Sequence, residues 1–181
     1  MLSTASFVSF VALAATTFAA PSARDAQCHP NFSGRPVSIV TKSGAMEWGH
    51  GTLAIERALD YQMTGFGPDG FKVEFTGFSD NGYWIRTAGV PSNNLFVSQG
   101  PRSNILAWAD GQGPQWSITC ASCSTENAWS FPGGKYATDC TITRTGSGLC
   151  VRESTEGTGS FIRQYSCEGG DVEKFDFLMQ Q

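Results

Sequence analysis

Histidine and charged side chains are scarce in this chain. His29 and His50 are the two histidines, and 12 lysines and arginines stand against 16 aspartates and glutamates, which gives a net charge of -4. The basic residues are scattered singly, whereas nucleic acids and anionic membranes favour clustered positive charge. The composition therefore argues against nucleic acid and against an anionic membrane surface as partners.

Recognisable catalytic motifs are also missing. The sequence contains no Gly-x-Ser-x-Gly, no phosphate-binding glycine loop and no His-Glu-x-x-His. Its carboxylates are too widely scattered to indicate the facing pair that a glycosidase requires. We therefore predict that the protein is not an enzyme and that it uses no cofactor and no metal.

Long apolar runs are absent, and the short one near the start has the features of a signal peptide. No charged residue precedes Arg24, and the apolar stretch 7–15 is followed by the small residues Ala19 and Ala20 at candidate cleavage positions. The alternative, a membrane-spanning helix, needs about 20 largely apolar residues, and here serines and threonines interrupt the run.

This start predicts the domain organisation and the location of the protein. We assign residues 1–20 to a signal peptide, 21–27 to a polar lead-in and 28–181 to one domain. The mature protein is then secreted and extracellular, with no segment inserted in a membrane.

All six cysteines fall within the mature part, which predicts three disulfides in an oxidising compartment. The Cys120-Ala-Ser-Cys123 spacing is also compatible with half a zinc site, but no second cysteine or histidine pair completes it. Six cysteines allow fifteen connectivities, all open at this point. The cysteines are Cys28, Cys120, Cys123, Cys140, Cys150 and Cys167.

Asn31-Phe32-Ser33 is an N-glycosylation sequon, which predicts a surface position for Asn31 in a secreted glycoprotein. The alternative is a sequon that is not used.

Glycine and aromatic residues are abundant, at 21 glycines with five Trp, four Tyr and thirteen Phe, which favours short aromatic strands between turns. One stretch, Thr52 to Met63, has apolar residues at helical spacing and is the one helix candidate. Strand-length apolar runs predict an all-β protein. These runs are 37–40, 71–78, 83–85, 95–97, 105–108, 116–119, 141–143, 161–165 and 175–178.

The end of the chain carries a family resemblance. Leu149-Cys150-Val151-Arg152, a second strand ending in Tyr165-Ser166-Cys167, and Phe175 after a short linker resemble the repeat unit of the ricin B-type β-trefoil lectins. In that family the two cysteines of one repeat are bridged, so the resemblance implies a Cys150–Cys167 disulfide. A bridge over such a loop stabilises by about 3 kcal/mol in the chain-entropy model.

The resemblance implies a β-trefoil of three imperfect repeats. A second copy is found at 95–97, 105–108 and 114–118, and a first at 37–39, Trp48 and 82–85, with 49–81 as an insertion. Trp84, Trp116 and Phe175 are then the aromatics that close the core. An immunoglobulin-like or jelly-roll sandwich is the alternative fold.

The family's sugar pocket uses an Asp, an aromatic residue and an Asn. At these positions the third repeat has Arg152, Tyr165 and Val172, and in the second repeat Trp108 takes the aromatic position. The polar pair is therefore lost. The resemblance implies a different sugar pocket, or else a solvated charged rim, built from Arg152, Glu153, Arg163, Tyr165, Asp171 and Trp108.

Two functions follow as expectations. The first is a secreted, lectin-like carbohydrate-binding module whose partner is a glycan or a cell-wall polysaccharide. The alternative is a secreted protease inhibitor or protein-interaction protein on the same scaffold, since the sugar-binding Asp and Asn are lost and the loop 122–139 is long.

Overall fold

Short strands dominate the structure, which is a computed structural model describing residues 27–65, 70–76, 82–89, 95–101, 104–111 and 113–180. Residues 1–26, which include the predicted signal peptide, lie outside the described residues. Within the described ranges there are thirteen strands and a 3-10 helix at Asp171–Glu173. The strands are β1 Pro36–Thr41, β2 Met46–Gly49, β3 Asp60–Met63, β4 Phe71–Phe75, β5 Gly82–Thr87, β6 Leu95–Gln99, β7 Leu106–Asp110, β8 Trp116–Thr119, β9 Ser122–Cys123, β10 Gly134–Arg144, β11 Leu149–Arg152, β12 Arg163–Ser166 and β13 Lys174–Met179.

The all-β class is confirmed, and every apolar run predicted as a strand overlaps one. The helix candidate Thr52 to Met63 is wrong, because its end forms β3 and its first part is a loop. Glu56 has φ +63°, a left-handed conformation that an α-helix cannot accommodate. Leu59 and Tyr61 are buried with period two, as in a strand. In the described part of the chain no helix is long and apolar enough to cross a membrane.

Six strands each pair antiparallel with two others of the six. The pairings run β1–β4, β4–β5, β5–β8, β8–β10, β10–β13 and β13–β1, so that the order returns to β1. A hairpin follows each of three of these strands: β2–β3 follows β1, β6–β7 follows β5, and β11–β12 follows β10.

The range 49–81 is therefore not an insertion. It contributes β3, which completes the first hairpin, and β4, which pairs with β1 and β5. The sequence pattern missed β3 because only four residues form it, and its apolar positions also fit a helical spacing.

The core aromatics follow from strand alternation. Trp116 and Phe175 are fully buried, as predicted. Trp84 is not the closing aromatic of a first repeat: it lies on β5, half-buried, edge-on to Phe96, while its neighbour Tyr83 is fully buried. Successive side chains of a strand point to opposite faces, so a shift of one residue exchanges the buried ring for the outer one.

The structure contains three disulfides, and the predicted Cys150–Cys167 bridge is confirmed. The other two join Cys28 to Cys123 and Cys120 to Cys140, so the two cysteines of the Cys120-Ala-Ser-Cys123 motif belong to different bridges. The segment around Cys28 is thus linked covalently to β9, which pairs with β10. In the ranges described, no three His, Cys, Asp or Glu side chains cluster as a metal shell would require.

The three hairpins meet in a triangle of backbone hydrogen bonds, which we call the junction. The N–H of Leu59 donates to the carbonyl of Leu106 (2.9 Å), that of Leu106 to Ile162 (2.8 Å), and that of Ile162 back to Leu59 (3.1 Å). All three side chains are 0% exposed. Each hairpin therefore satisfies one donor and one acceptor of its neighbours in the interior, where an unpaired backbone group is costly.

We predict that Leu59→Ala destabilises the fold by about 3 kcal/mol, because it leaves a cavity where the three hairpins meet. The measurement is urea unfolding with the disulfides intact. Ile55→Ala, in the same loop but exposed, is the control and is expected to change stability by no more than about 0.5 kcal/mol. Equal effects of the two substitutions would contradict a packed junction.

Candidate functional site

The junction has an outer surface as well as a buried one. Because side chains alternate along a strand, the residues on either side of the buried Leu59, Leu106 and Ile162 point away from the core. Isolated β-bridges pair these flanking residues between hairpins: Ala58 with Ala107, Ile105 with Arg163, and Asp60 with Phe161.

An open pocket of about 660 Å³ lies over this outer surface, and we call it the junction pocket. Its floor is formed by five of the six flanking residues, Ala58, Asp60, Ile105, Ala107 and Phe161. The loop between β2 and β3 forms one rim through residues 51, 52, 56 and 57, and residues 100 and 101 after β6 form another. The pocket is thus lined both by apolar side chains and by the charged residues Asp60, Glu56 and Arg57.

Phe161 is the aromatic element of the pocket, and 42% of it is exposed. Its backbone pairs with Asp60, so two adjacent segments of the chain bring an exposed aromatic residue and a carboxylate to one point of the floor. An aromatic face beside fixed polar groups is the arrangement that sugar recognition requires.

Two glycines leave room beside Asp60 that a larger residue would fill. A Cβ atom on Gly49 would lie 2.6 Å from Oδ1 of Asp60, and one on Gly51 would lie 2.8 Å from the carbonyl oxygen of Ala58. Gly51 also has φ +53°, which favours glycine. Burial raises the pKa of Asp60, and hydrogen bonds from its own N–H and that of Gly51, with the nearby His50, oppose the rise only in part.

Trp108, which the sequence places in the sugar pocket, lies beneath the rim instead. Its side chain is 1% exposed, and its indole N–H donates to the carbonyl of His50 at 2.8 Å. Its backbone accepts from Glu56 (2.8 Å) and donates to Arg57 (3.0 Å). Trp108 therefore positions the loop that carries Glu56 and Arg57 and offers no ring face to a ligand.

The strand register explains why the Trp108 side chain is buried and the Tyr165 side chain is exposed. Val97 opposes Trp108 in the second hairpin, and Val151 opposes Gln164 in the third, so Gln164 is the counterpart of Trp108. Tyr165 is one residue further on and points outward. The sequence alignment of these two aromatics was therefore one residue out of register.

The outer face of the third hairpin brings together several of the predicted residues. Arg152 and Arg163 are paired across β11 and β12, and Tyr165 lies on the same face. The Arg152 guanidinium lies over the Tyr165 ring, 5.3 Å from its centroid. It also forms ion pairs with Glu173 at 2.8 Å and Glu168 at 3.1 Å.

Glu173 is the buried centre of this cluster. Burial raises the pKa of its carboxyl, but hydrogen bonds from the N–H groups of Glu168 and Gly169 and from Arg152 outweigh that effect, and the net pKa is lowered. The Nη2 of Arg152 is therefore paired with two of the protein's own carboxylates, and the guanidinium lies over the Tyr165 ring.

Glu153 and Asp171 point to a different neighbour, the turn between β1 and β2. Glu153 accepts a hydrogen bond from the Ser43 hydroxyl at 2.9 Å. Asp171 forms an ion pair with Lys42 at 2.9 Å, and Lys42 also pairs with Asp139. The structure thus divides the six predicted residues among three places: the outer face of the third hairpin, this turn, and the interior under the junction pocket.

The residues of the junction pocket were missed from the sequence. Asp60, Glu56 and Arg57 fall in the range taken for a helix, and Phe161 was placed in a strand with no functional role. The signal that remained was the glycine at positions 49 and 51 before an apolar–polar alternation, which marks a close backbone approach.

Comparison with known proteins gives no relative: no protein-family model, no curated protein and no solved structure matches this chain.

We predict that Glu173→Gln destabilises the fold by about 2 kcal/mol at neutral pH, because the buried carboxylate accepts from one guanidinium and two backbone N–H groups. Since its folded-state pKa is lowered, the contribution is present above the unfolded pKa and is lost as the pH falls through the folded one. Urea unfolding across the acid range measures it.

Glu168→Gln is the matched control, since that carboxylate pairs with the same arginine but is exposed. Its effect is expected to stay within about 1 kcal/mol. If both variants lost the same stability at every pH, the cluster would not depend on the buried carboxylate.

Proposed function

We propose that this protein is a secreted, non-catalytic carbohydrate-binding protein with a β-trefoil fold, and that it binds a neutral sugar in the junction pocket. One observation carries the proposal: the exposed Phe161 pairs through a β-bridge with Asp60, and both residues line a pocket of about 660 Å³.

The strand pairings support the fold part of the proposal. A β-trefoil needs six strands paired in a closed order and three hairpins that meet at one end, and the six pairings and the hydrogen-bonded junction fit both requirements. The three bridges between hairpins also connect equivalent positions, as three similar units around one axis would.

The cysteines support secretion. All six are paired in the structure, and disulfides persist in oxidising compartments. The apolar segment that ends at Ala19 and Ala20 supplies the export signal in this proposal.

The chemistry of the pocket supports a neutral sugar. A pyranose has a C–H face that packs on an aromatic ring and hydroxyl groups around its edge. Phe161 offers the ring. The carboxylates of Asp60 and Glu56 accept hydrogen bonds from sugar hydroxyls, and the Arg57 guanidinium donates hydrogen bonds to them. Two carboxylates against one guanidinium disfavour an acidic sugar, and the volume is within the range of small-ligand sites.

We predict that Phe161→Ala lowers the affinity for a sugar selected on a glycan array by about tenfold, the loss expected when one stacking contact is removed. Isothermal titration calorimetry with the selected sugar is the measurement. Tyr165→Ala is the matched control, because that aromatic is equally exposed, at 40%, and lies on the third hairpin.

The control also distinguishes the two candidate sites, the junction pocket and the outer face of the third hairpin. Loss of binding in Tyr165→Ala with none in Phe161→Ala would move the site to the cluster indicated by the sequence. A mature protein that binds nothing on a broad array of neutral and acidic glycans would contradict the function itself.

We further predict that sugar affinity falls on acidification, because the carboxyl group of Asp60, once protonated, no longer accepts hydrogen bonds from two sugar hydroxyls. Burial raises the pKa of Asp60, so the loss begins above the ordinary aspartate value of about 3.9. Titrations over the acid range test this, with Asp60→Asn expected to bind more weakly and to show a flatter pH profile. An identical pH profile in both proteins would exclude Asp60 as the titrating group.

A further inference from the structure

The most exposed large apolar side chain of the described residues is Trp129, at 65%, in the loop between β9 and β10. Its indole N–H donates to the carbonyl of Ser33 at 3.1 Å, and its backbone N–H donates to the side chain of Asn127 at 2.9 Å. The ring is therefore fixed at one edge while most of its surface is open.

The loop that carries Trp129 is braced from the protein side. The Arg35 guanidinium donates to the carbonyls of Ala128 (2.6 Å) and Phe131 (2.7 Å), and also to that of Gln180 (2.6 Å). The Tyr136 hydroxyl, a single donor, lies within hydrogen-bond distance of the carbonyls of Glu126 (2.8 Å) and Asn31 (3.1 Å). A fixed aromatic surface offers contact area without a large ordering cost.

The sequon at Asn31 lies in the turn that Trp129 contacts. Phe32 is buried against Tyr136 and Phe177, which leaves Asn31 and Ser33 exposed on the outside of the turn. The Asn31 Oδ1 accepts from the Ser33 N–H at 3.0 Å. The side-chain Nδ2 of Asn31, the atom that carries an N-linked glycan, has no protein partner among the residues described.

The contacts limit how far this amide lies from the ring. One hydrogen bond joins the Asn31 side chain to Ser33 N, and another joins Ser33 O to the Trp129 indole. The N and O of one residue are about 3 Å apart, so Oδ1 of Asn31 lies within about 10 Å of the indole nitrogen and Nδ2, about 2 Å beyond Oδ1, lies within about 12 Å. The first two sugars of a glycan attached there span such a distance.

We propose that an N-linked glycan on Asn31 packs its first N-acetylglucosamine residues on the exposed face of Trp129. The proposal rests on the secretion part of the proposed function, because the glycan is added on that route, and is independent of the junction pocket. The apolar C–H face of the sugar covers the indole, as sugars do on aromatic side chains. The glycan thereby shields an apolar side chain that the fold leaves uncovered.

The test uses the full chain secreted from a eukaryotic host, with the two core N-acetylglucosamine residues of its glycan retained. Mass spectrometry establishes occupancy of Asn31. We expect the N-acetyl methyl protons to show an upfield ring-current shift in the NMR spectrum, which Trp129→Ala abolishes and Trp129→Phe retains in part. Phe161→Ala, distant in the fold, is expected to leave that shift unchanged.

A stability measurement gives a second, independent readout. We expect the glycan to raise Tm by about 2 to 4 °C in the wild type and by nothing in Trp129→Ala, with Asn31→Gln as the unglycosylated reference for each. Comparing these four proteins removes the effect of the lost indole hydrogen bond.

Several outcomes would overturn the proposal. An unmodified Asn31 in the secreted protein would do so, as would an occupied Asn31 with an unshifted methyl signal, or a Tm gain that survives in Trp129→Ala. In the last two cases Trp129 is left for another occupant, such as a protein partner. A failed sugar titration at the junction pocket bears on none of these results.

Discussion

The junction is the interaction on which the rest of the structure depends. Leu59, Leu106 and Ile162 each donate one backbone hydrogen bond and accept one in the interior. Removing any hairpin would leave a buried donor and a buried acceptor unpaired on the other two, at a cost of about 1–3 kcal/mol for each group. The hairpins therefore order one another, and none has a complete set of partners by itself.

The hydrogen bonds of the junction also determine which side chains of these strands point into the core and which point toward the pocket. Once the three junction side chains point inward, alternation determines that Phe161 and Asp60 point outward, and that Trp108, two residues after Leu106, points inward. The buried Trp108 then holds the β2–β3 loop through its indole and its backbone. The pocket rim is thus anchored to the same strand that forms part of the floor.

Sequence patterns predicted the features that depend on local alternation and failed where distant segments meet. The apolar runs predicted the strands, and the resemblance of the chain end to a lectin repeat implied the Cys150–Cys167 bridge and the burial of Trp116 and Phe175; the structure confirms each of these. The pairing of Cys28 with Cys123 spans 95 residues and left no local signal. Asp60 and Phe161 meet only because the first and third hairpins share the junction, which no spacing along the chain reveals.

On the third hairpin the protein supplies partners for its own charged group. Arg152 carries five donors, and the carboxylates of Glu173 and Glu168 both pair with its Nη2. The ring of Tyr165 then faces a guanidinium whose Nη2 is paired with carboxylates.

At the junction the opposite holds. The carboxylate of Asp60 receives hydrogen bonds from its own N–H and that of Gly51, and Phe161, which lines the pocket, is 42% exposed. The proposed sugar site is therefore placed at the junction pocket, which Phe161 and Asp60 both line, because on the third hairpin the Arg152 guanidinium lies over the Tyr165 ring.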